Sequence, residues 1–262
     1  KYLSSCLDSV MCVDVSLVDS FEVIVVNDGS KYNIIDKARE RAYLMTRDGA
    51  DIIDLGACST RPGFQLISED EEWRRLEPLL EIYKSSFRGT TLSLDTFRSS
   101  IIKKTYDLLN FEFIVNDITS GEYDEQMLPA VGKLGLTYIA MHHKGNLETM
   151  HNNYQYADVV KDVIDYFENF AKSAERYGIA NYFIDPGFGF SKSINDNIEL
   201  LKRIDELKVL GKPILIGISR KSFIYKPLGL KPEDEEVLMK TKEWQRYAIE
   251  KGVSILRVHE IQ

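Results

Sequence analysis

The feature that most limits the folds open to this chain is a rhythm. Short apolar runs alternate with longer amphipathic stretches from end to end. Eight runs stand out, at residues 10–15, 51–55, 91–96, 111–116, 137–141, 182–185, 213–218 and 254–258. They are rich in Val, Ile and Leu without clean alternation, as befits strands covered on both faces. Helical spacing fills the gaps. Residues 33–47 carry Ile35, Ala38, Ala42 and Met45 on one face, and Gly49 follows as a stop. Ser68 to Glu71 has the pattern of a capping box, and Trp73, Leu76, Leu80 and Tyr83 then form an apolar stripe. Further helices are predicted over 99–109, 157–177, 197–207 and 235–250. The stretch 122–134 is weaker because Pro129 interrupts it.

Repeated strand–helix alternation implies a parallel sheet, and eight units favour closure. The expectation is a single-domain α/β chain, a (β/α)8 TIM barrel over residues 1–262. A doubly wound sheet is the rival, but no G-x-G-x-x-G turn follows the first run. Apolar residues make up 44% of 262, enough for a large core. The net charge of -8 argues against a non-specific nucleic-acid surface. Three cysteines (Cys6, Cys12 and Cys58) without a C-x-x-C point to a reducing compartment. No apolar run reaches the roughly 18 residues that a membrane span needs. The cytoplasm is the expected location, with an organelle left open by a first residue, Lys1, that is not Met.

In a parallel barrel the C-terminal strand ends share one face, and active sites sit there. The ends carry Asp54, Asp95, Asn116 with Asp117, Met141 with His142, Asp185, Gly217 leading into Ser219, Arg220 and Lys221, and Arg257 with His259. Asp95, Asn116 and Asp185 offer acceptors, and Asn also donates. A carboxylate facing a planar N–H pair makes a bidentate contact. Lys221, Arg257 and His259 suit an anion such as phosphate. Such a rim reads a donor-rich heterocycle joined to an anion, and spacing does not name the reaction.

Several neighbours have plainer readings. Asp54 is read as a brace for the second loop, and Asp117 is divided between ligand support and helix capping. His142 and His143, adjacent on a strand, point to opposite faces and are read as surface or pocket-lining groups. Arg220 is read as a brace of the rim, and Cys58 as a small packed residue. Glu69 to Glu72 are read as a solvated helix start.

Six motifs carry a resemblance. Residues 49–63 read GADIIDLGACSTRPG. Leu94-Asp95-Thr96 and Val115-Asn116-Asp117-Ile118 follow, then Ile184 to Phe190 as IDPGFGF, Gly217 to Ser222 as GISRKS, and Arg257-Val258-His259. In this order they resemble the dihydropteroate synthase family, pterin-binding enzyme barrels that join a dihydropterin diphosphate to p-aminobenzoate. The resemblance implies that Asp95, Asn116 and Asp185 hold the pterin ring, with Lys221 at its edge and Met141 and Gly217 lining the pocket. Asp95, Asp185 and Lys221 are the catalytic candidates. Thr60, Arg61 and Pro62 would belong to a loop closing over p-aminobenzoate, with Phe190, Lys221 and Ser222 completing that subsite. Arg257 and His259 would bind diphosphate. It also implies Mg2+ as cofactor, a homodimer and a place in folate biosynthesis. The family's final helix would be missing beyond Gln262.

The first loop departs from the pattern. Where the family reads M-G-(I/L)-(L/I)-N-V-T-P-D-S-F, residues 11–21 read MCVDVSLVDSF, so Val15 replaces the metal-side Asn and Leu17 and Val18 replace Thr and Pro. Residues 23–26 then lengthen the loop before Asn27. Asp19 remains as the candidate metal ligand, and a rearranged loop could supply Asp14 or Asn27 instead. The departure motivates a second hypothesis, a pterin-binding paralogue without full turnover. A methyltetrahydrofolate-dependent methyltransferase domain ranks third, because that group lacks the Ser59–Pro62 loop and the Arg257–His259 anion site.

Overall fold

The computed structural model describes residues 20–26, 34–58, 66–87 and 89–258. Eight parallel strands form one sheet: β1 Ser20–Val26, β2 Ile52–Gly56, β3 Thr91–Asp95, β4 Ile114–Asp117, β5 Thr137–Met141, β6 Tyr182–Asp185, β7 Leu215–Ile216 and β8 Ile255–Val258. The order β6-β5-β4-β3-β2-β1-β8-β7 is closed by a parallel bridge from Ile184 to Ile214, with the Ile184 N–H donating to Pro213 O at 3.1 Å. The sheet is therefore a barrel. Helices follow the strands: α1 Ile34–Arg47, α2 Glu69–Ser86, α3 Ser99–Leu109, α4 Met127–Leu134, α5 Val159–Tyr177, α6 Ile194–Lys202, the short α7 Ser222–Tyr225 and α8 Glu235–Glu250.

Two apolar compartments explain why the strands looked continuous in sequence. The outward strand residues, among them Ile53, Leu55, Leu92, Leu94, Val115 and Leu256, pack with the helices in one large cluster. Ile52, Ile114, Ile139, Leu215 and Ile255 form a separate cluster with Phe183, filling the N-terminal half of the barrel interior. Side chains alternate along a strand. Two residues on from these six, the same interior face presents Asp54, Asn116, Met141, Gly217, Arg257 and Asp185. The apolar plug is thus a floor, and the next layer up is polar. Gly56 also belongs to that layer, and a Cβ there would sit 3.0 Å from Asp95 Cβ.

Three sequence expectations are corrected. Residues 23–26 are not loop: they belong to β1, paired with β2 through Val26↔Gly56 and with β8 through Val23↔Val258. A run of β-branched residues here fills the one place between β2 and β8. The strand expected at 10–15 lies outside the described residues. The sixth helix begins at Ile194 rather than 197, because Ser193 and Asp196 form a capping box, and it ends at Lys202. The segment 204–210 is a 3-10 helix. Glu72 is not solvated: it is fully buried, accepts from Thr96 Oγ1 at 2.6 Å and is paired with Arg98. Glu72 thus ties α2 to Thr96, the residue following Asp95, and to Arg98. Pro129 is accommodated because α4 starts only at Met127, placing the ring in the first turn.

Candidate active site

The polar interior layer opens at the C-terminal rim. Register places Gly56 beside Asp95, Asp95 beside Asn116, and Met141 beside Asp185. Arg257, from β8, reaches across the mouth. Its Nη2 donates to Asp54 Oδ2 at 2.6 Å and to Asp95 Oδ2 at 2.8 Å, and its Nε donates to Asp54 Oδ2 at 3.2 Å. Asn116 Nδ2 donates to Asp54 Oδ2 at 3.3 Å. Asp54 therefore braces Arg257 and Asn116 inside the barrel, while the second loop, its partner as read from sequence, lies outside the described residues over 59–65. Its location at a strand end was the only signal, and nothing in its own neighbours named these partners.

Asp185 approaches from the other side. The N–H of Gly187 donates to its Oδ1 at 2.8 Å, and the charges of Lys221 and Arg257 lie close enough to act on it. Burial pushes the carboxyl groups of both Asp95 and Asp185 up. Arg257 opposes the shift at Asp95, and Lys221 opposes it at Asp185. Burial likewise brings Lys221 down to about 8, against the pull of Asp185. Three carboxyl groups (Asp54, Asp95, Asp185) thus face two cations (Arg257, Lys221), and a ligand gaining positive charge would favour the ionised form of those that burial pushes up.

One wall is apolar. Met141, Phe97, Ile118 and Met150 cluster with Phe190 at the rim, offering flat surfaces to a ring. Lys221 Nζ lies 5.0 Å from the Phe190 ring centroid and donates to the carbonyl of Phe188. Ser222 opens α7 beside it, and Gly217 lies across from Arg257, 3.6 Å separating its missing Cβ from the Arg257 Cβ. The structure thus brings together Asp95, Asn116, Met141, Asp185, Phe190, Gly217, Lys221, Ser222 and Arg257. Asp19, Thr60, Arg61, Pro62 and His259 lie outside the described residues.

The neighbours resolve as well. Asp117 points away from Asn116. It accepts from Tyr138 Oη, Thr119 N, Thr119 Oγ1 and Gly121 N, all within 2.8 Å, so it orders the loop after β4. Arg220 braces the rim through the Pro232 carbonyl at 2.8 Å. Cys58 is buried, and burial raises its thiol, which keeps it unreactive. His142 and His143 are not surface groups. Both are buried, the first against Lys192 and Asp162, the second against the Thr119 carbonyl. No helix among the described residues is long and apolar enough to cross a membrane.

Comparison with known proteins identifies the family. Residues 25–259 match the family model of the pterin binding enzymes. The chain is 36% identical over 238 residues to the dihydropteroate synthase of Streptococcus pyogenes serotype M3, covering 90% of this chain and 86% of that one. Among solved structures, the dihydropteroate synthase of Clostridium difficile, in the presence of pteroic acid, superposes with a TM-score of 0.84 at 33% identity, over 93% of this chain and 92% of that chain. That of Xanthomonas albilineans, with 4-aminobenzoic acid, gives 0.83 at 30%, over 93% and 88%. The chain belongs to the pterin-binding enzyme family, in its dihydropteroate synthase branch.

Proposed function

We propose that this site condenses 6-hydroxymethyl-7,8-dihydropterin diphosphate with p-aminobenzoate, giving 7,8-dihydropteroate and diphosphate for folate biosynthesis. The observation that carries the reading is the meeting of Asp95, Asn116 and Asp185 around Arg257 on one interior layer, beside an apolar wall. A dihydropterin presents an N–H-bearing edge to Asp185, with Asn116 and Asp95 on the remaining ring positions and Lys221 at the rim. The ring lies against Met141 and in the space left by Gly217. As the bond to diphosphate weakens, positive charge grows on the pterin, and the carboxylates stabilise it where water is excluded. The amine of p-aminobenzoate then needs orientation rather than a strong base. Phe190 and Ser222, with Thr60, Arg61 and Pro62, hold that ring, and Arg257 with His259 takes the diphosphate. Arg257 has a prior duty, since it neutralises Asp54 and Asp95.

Mg2+ enters this reading through β1. Magnesium takes oxygen ligands, commonly one or two carboxylates shared with substrate phosphates. Among the described residues no group of three or more His, Cys, Asp or Glu could hold a metal ion alone. Asp54 and Asp95 are engaged by Arg257. The rim end of β1, Val26, leads directly into Asn27 and Asp28, oxygen donors suited to sharing an ion with diphosphate. Asp19, Asn27 and Asp28 adjoin this strand in sequence and lie outside the described residues; we propose Asn27 and Asp28 beside Asp19 as the oxygen donors for the ion. When bound, the ion draws charge from the departing diphosphate. Asn27, which follows β1 in sequence, offers the amide oxygen missing at position 15, and the paralogue without turnover stays the second reading that the assay below separates. A homodimer and a cytoplasmic location complete the reading by analogy; sedimentation tests the first.

The test is direct. Purified protein is incubated with dihydropterin diphosphate and Mg2+, with and without p-aminobenzoate, and diphosphate release is followed. Release that depends on the amine supports the synthase. Pterin binding with no release under any condition supports the paralogue and ends this reading.

A further inference from the structure

A buried cation lies behind the site with no part in the chemistry above. Lys192 is 5% exposed, and its Nζ lies 2.8 Å from His142 Nδ1, 3.1 Å from the Gly187 carbonyl and 3.2 Å from the Phe190 carbonyl. An ammonium group has three donors, and all three are matched. The row continues outward to a half-exposed pair. His142 Nε2 is 3.1 Å from Asp162 Oδ1 on α5, and Asp162 Oδ2 holds Lys144 Nζ at 2.7 Å. Burial brings Lys192 down to about 7, against the pull of Asp185; in its protonated form it donates to Nδ1, which leaves the imidazole neutral with its proton on Nε2, facing Asp162. Burial, then the charge of Lys192, brings His142 down to about 3, which agrees with that tautomer.

The two carbonyls gripped by Lys192 bracket the loop after β6. Between them lies the Phe188 carbonyl, which holds Lys221, and at the end lies Phe190, whose ring faces Lys221. From the opposite side the N–H of Gly189 is fixed by Asn197 Oδ1 at 2.7 Å. Without the ammonium group two buried carbonyls would turn elsewhere for donors, and the loop would turn with them.

We propose that Lys192 is a positioning residue for the reaction: through the Gly187 and Phe190 carbonyls it fixes the loop that presents Phe190 and Lys221 to the aromatic amine, and His142 and Asp162 orient it. It touches no substrate. A purely structural lysine would lower stability and weaken both substrates alike. A positioning lysine acts more on the amine than on the pterin, because Asn116 and Asp95 hold the pterin from strands, while Asp185 feels the loop only through the Gly187 N–H and the charge of Lys192.

The inference rests on the synthase reading for the identity of the amine, so the test separates the two. KM for each substrate and kcat are measured for the parent, Lys192→Met, His142→Leu and His142→Gln, with thermal melts. Lys192→Met should raise KM for p-aminobenzoate about tenfold or more, the cost of a lost charged hydrogen bond, and should raise KM for the pterin substrate clearly less, through the Gly187–Asp185 contact alone. His142→Leu should move the same parameter in the same direction by less, and His142→Gln, which keeps an acceptor, should restore it. If Lys192→Met does not fold, the two His142 variants decide. Equal loss for both substrates, an unchanged KM for the amine, or no difference between His142→Leu and His142→Gln overturns the proposal. If the parent releases no diphosphate, the synthase reading fails by itself. Hydrogen exchange of the Gly187 and Gly189 amides then reads the loop directly: faster exchange in Lys192→Met supports the clamp, and parent-like protection refutes it.

Discussion

Asp54→Asn removes one charge from the centre of the rim while nearly keeping shape. Asp54 is fully buried and is bound twice by Arg257, at 2.6 and 3.2 Å. Breaking a buried ion pair from one side commonly costs about 3–5 kcal/mol. Two features reduce that here. The Asn oxygen still accepts a hydrogen bond, and Arg257 keeps Asp95 at 2.8 Å with a side chain 20% exposed. About 1–3 kcal/mol is then the expected loss, which for a chain of this size is a fall in Tm of roughly 3–10 °C. Function should suffer as well. Arg257 would settle wholly on Asp95, and Asn116 would face a neutral amide in place of a charged acceptor, so pterin affinity should fall several-fold. Differential scanning fluorimetry and pterin titration, with Arg257→Met and the double variant completing a cycle, measure both effects. If Asp54→Asn melts with the parent and binds pterin equally, or if the two substitutions are additive, the Asp54–Arg257 pair does not organise the rim.

Other perturbations follow from the same geometry. Gly187→Ala should abolish activity and lower Tm sharply, because the residue has φ +70° and a Cβ would lie 2.0 Å from the His142 carbonyl oxygen; a variant melting like the parent would contradict the loop packing. His142, held neutral down to about 3 when folded but ordinary at 6.5 when unfolded, lets the unfolded chain bind more protons in that window. Stability should therefore fall as pH drops below about 6.5, by at most about 1.4 kcal/mol per pH unit, and His142→Gln should flatten that slope in urea melts taken across pH 4 to 7. Asn27→Ala should weaken the Mg2+ dependence of diphosphate release at least about tenfold while leaving pterin binding in place; an unchanged Mg2+ titration would return the metal role to another residue.

Most of the site was readable because a barrel gathers strand ends by topology alone. Once eight runs imply closure, Asp95, Asn116, Asp185 and Arg257 must share a rim, whatever the loops do. Asp54 was undervalued because its role depends on Arg257, 203 residues later, and no local pattern carries that contact. Lys192 and His142 were hidden for a similar reason. A buried lysine is rare unless its donors are matched, and here the matching carbonyls come from a loop whose shape the sequence did not give away. The run 23–26 reads as loop in the sequence because the motif frame centres on residues 10–15, which lie outside the described residues; pairing with β2 and β8 makes Ser20–Val26 a strand. Period-two alternation went unseen because the floor of the barrel is as apolar as its outside, and only the polar layer two residues on reveals which face is which.

Titration calorimetry of a dihydropterin ligand against the parent and Asp185→Asn tests the gripping of the ring most directly. The account predicts a loss of about ten- to a hundredfold in affinity for the variant, the cost of replacing a charged acceptor facing an N–H pair, with the fold intact by circular dichroism. Equal affinity for the two proteins would mean that the heterocycle is held somewhere other than this rim.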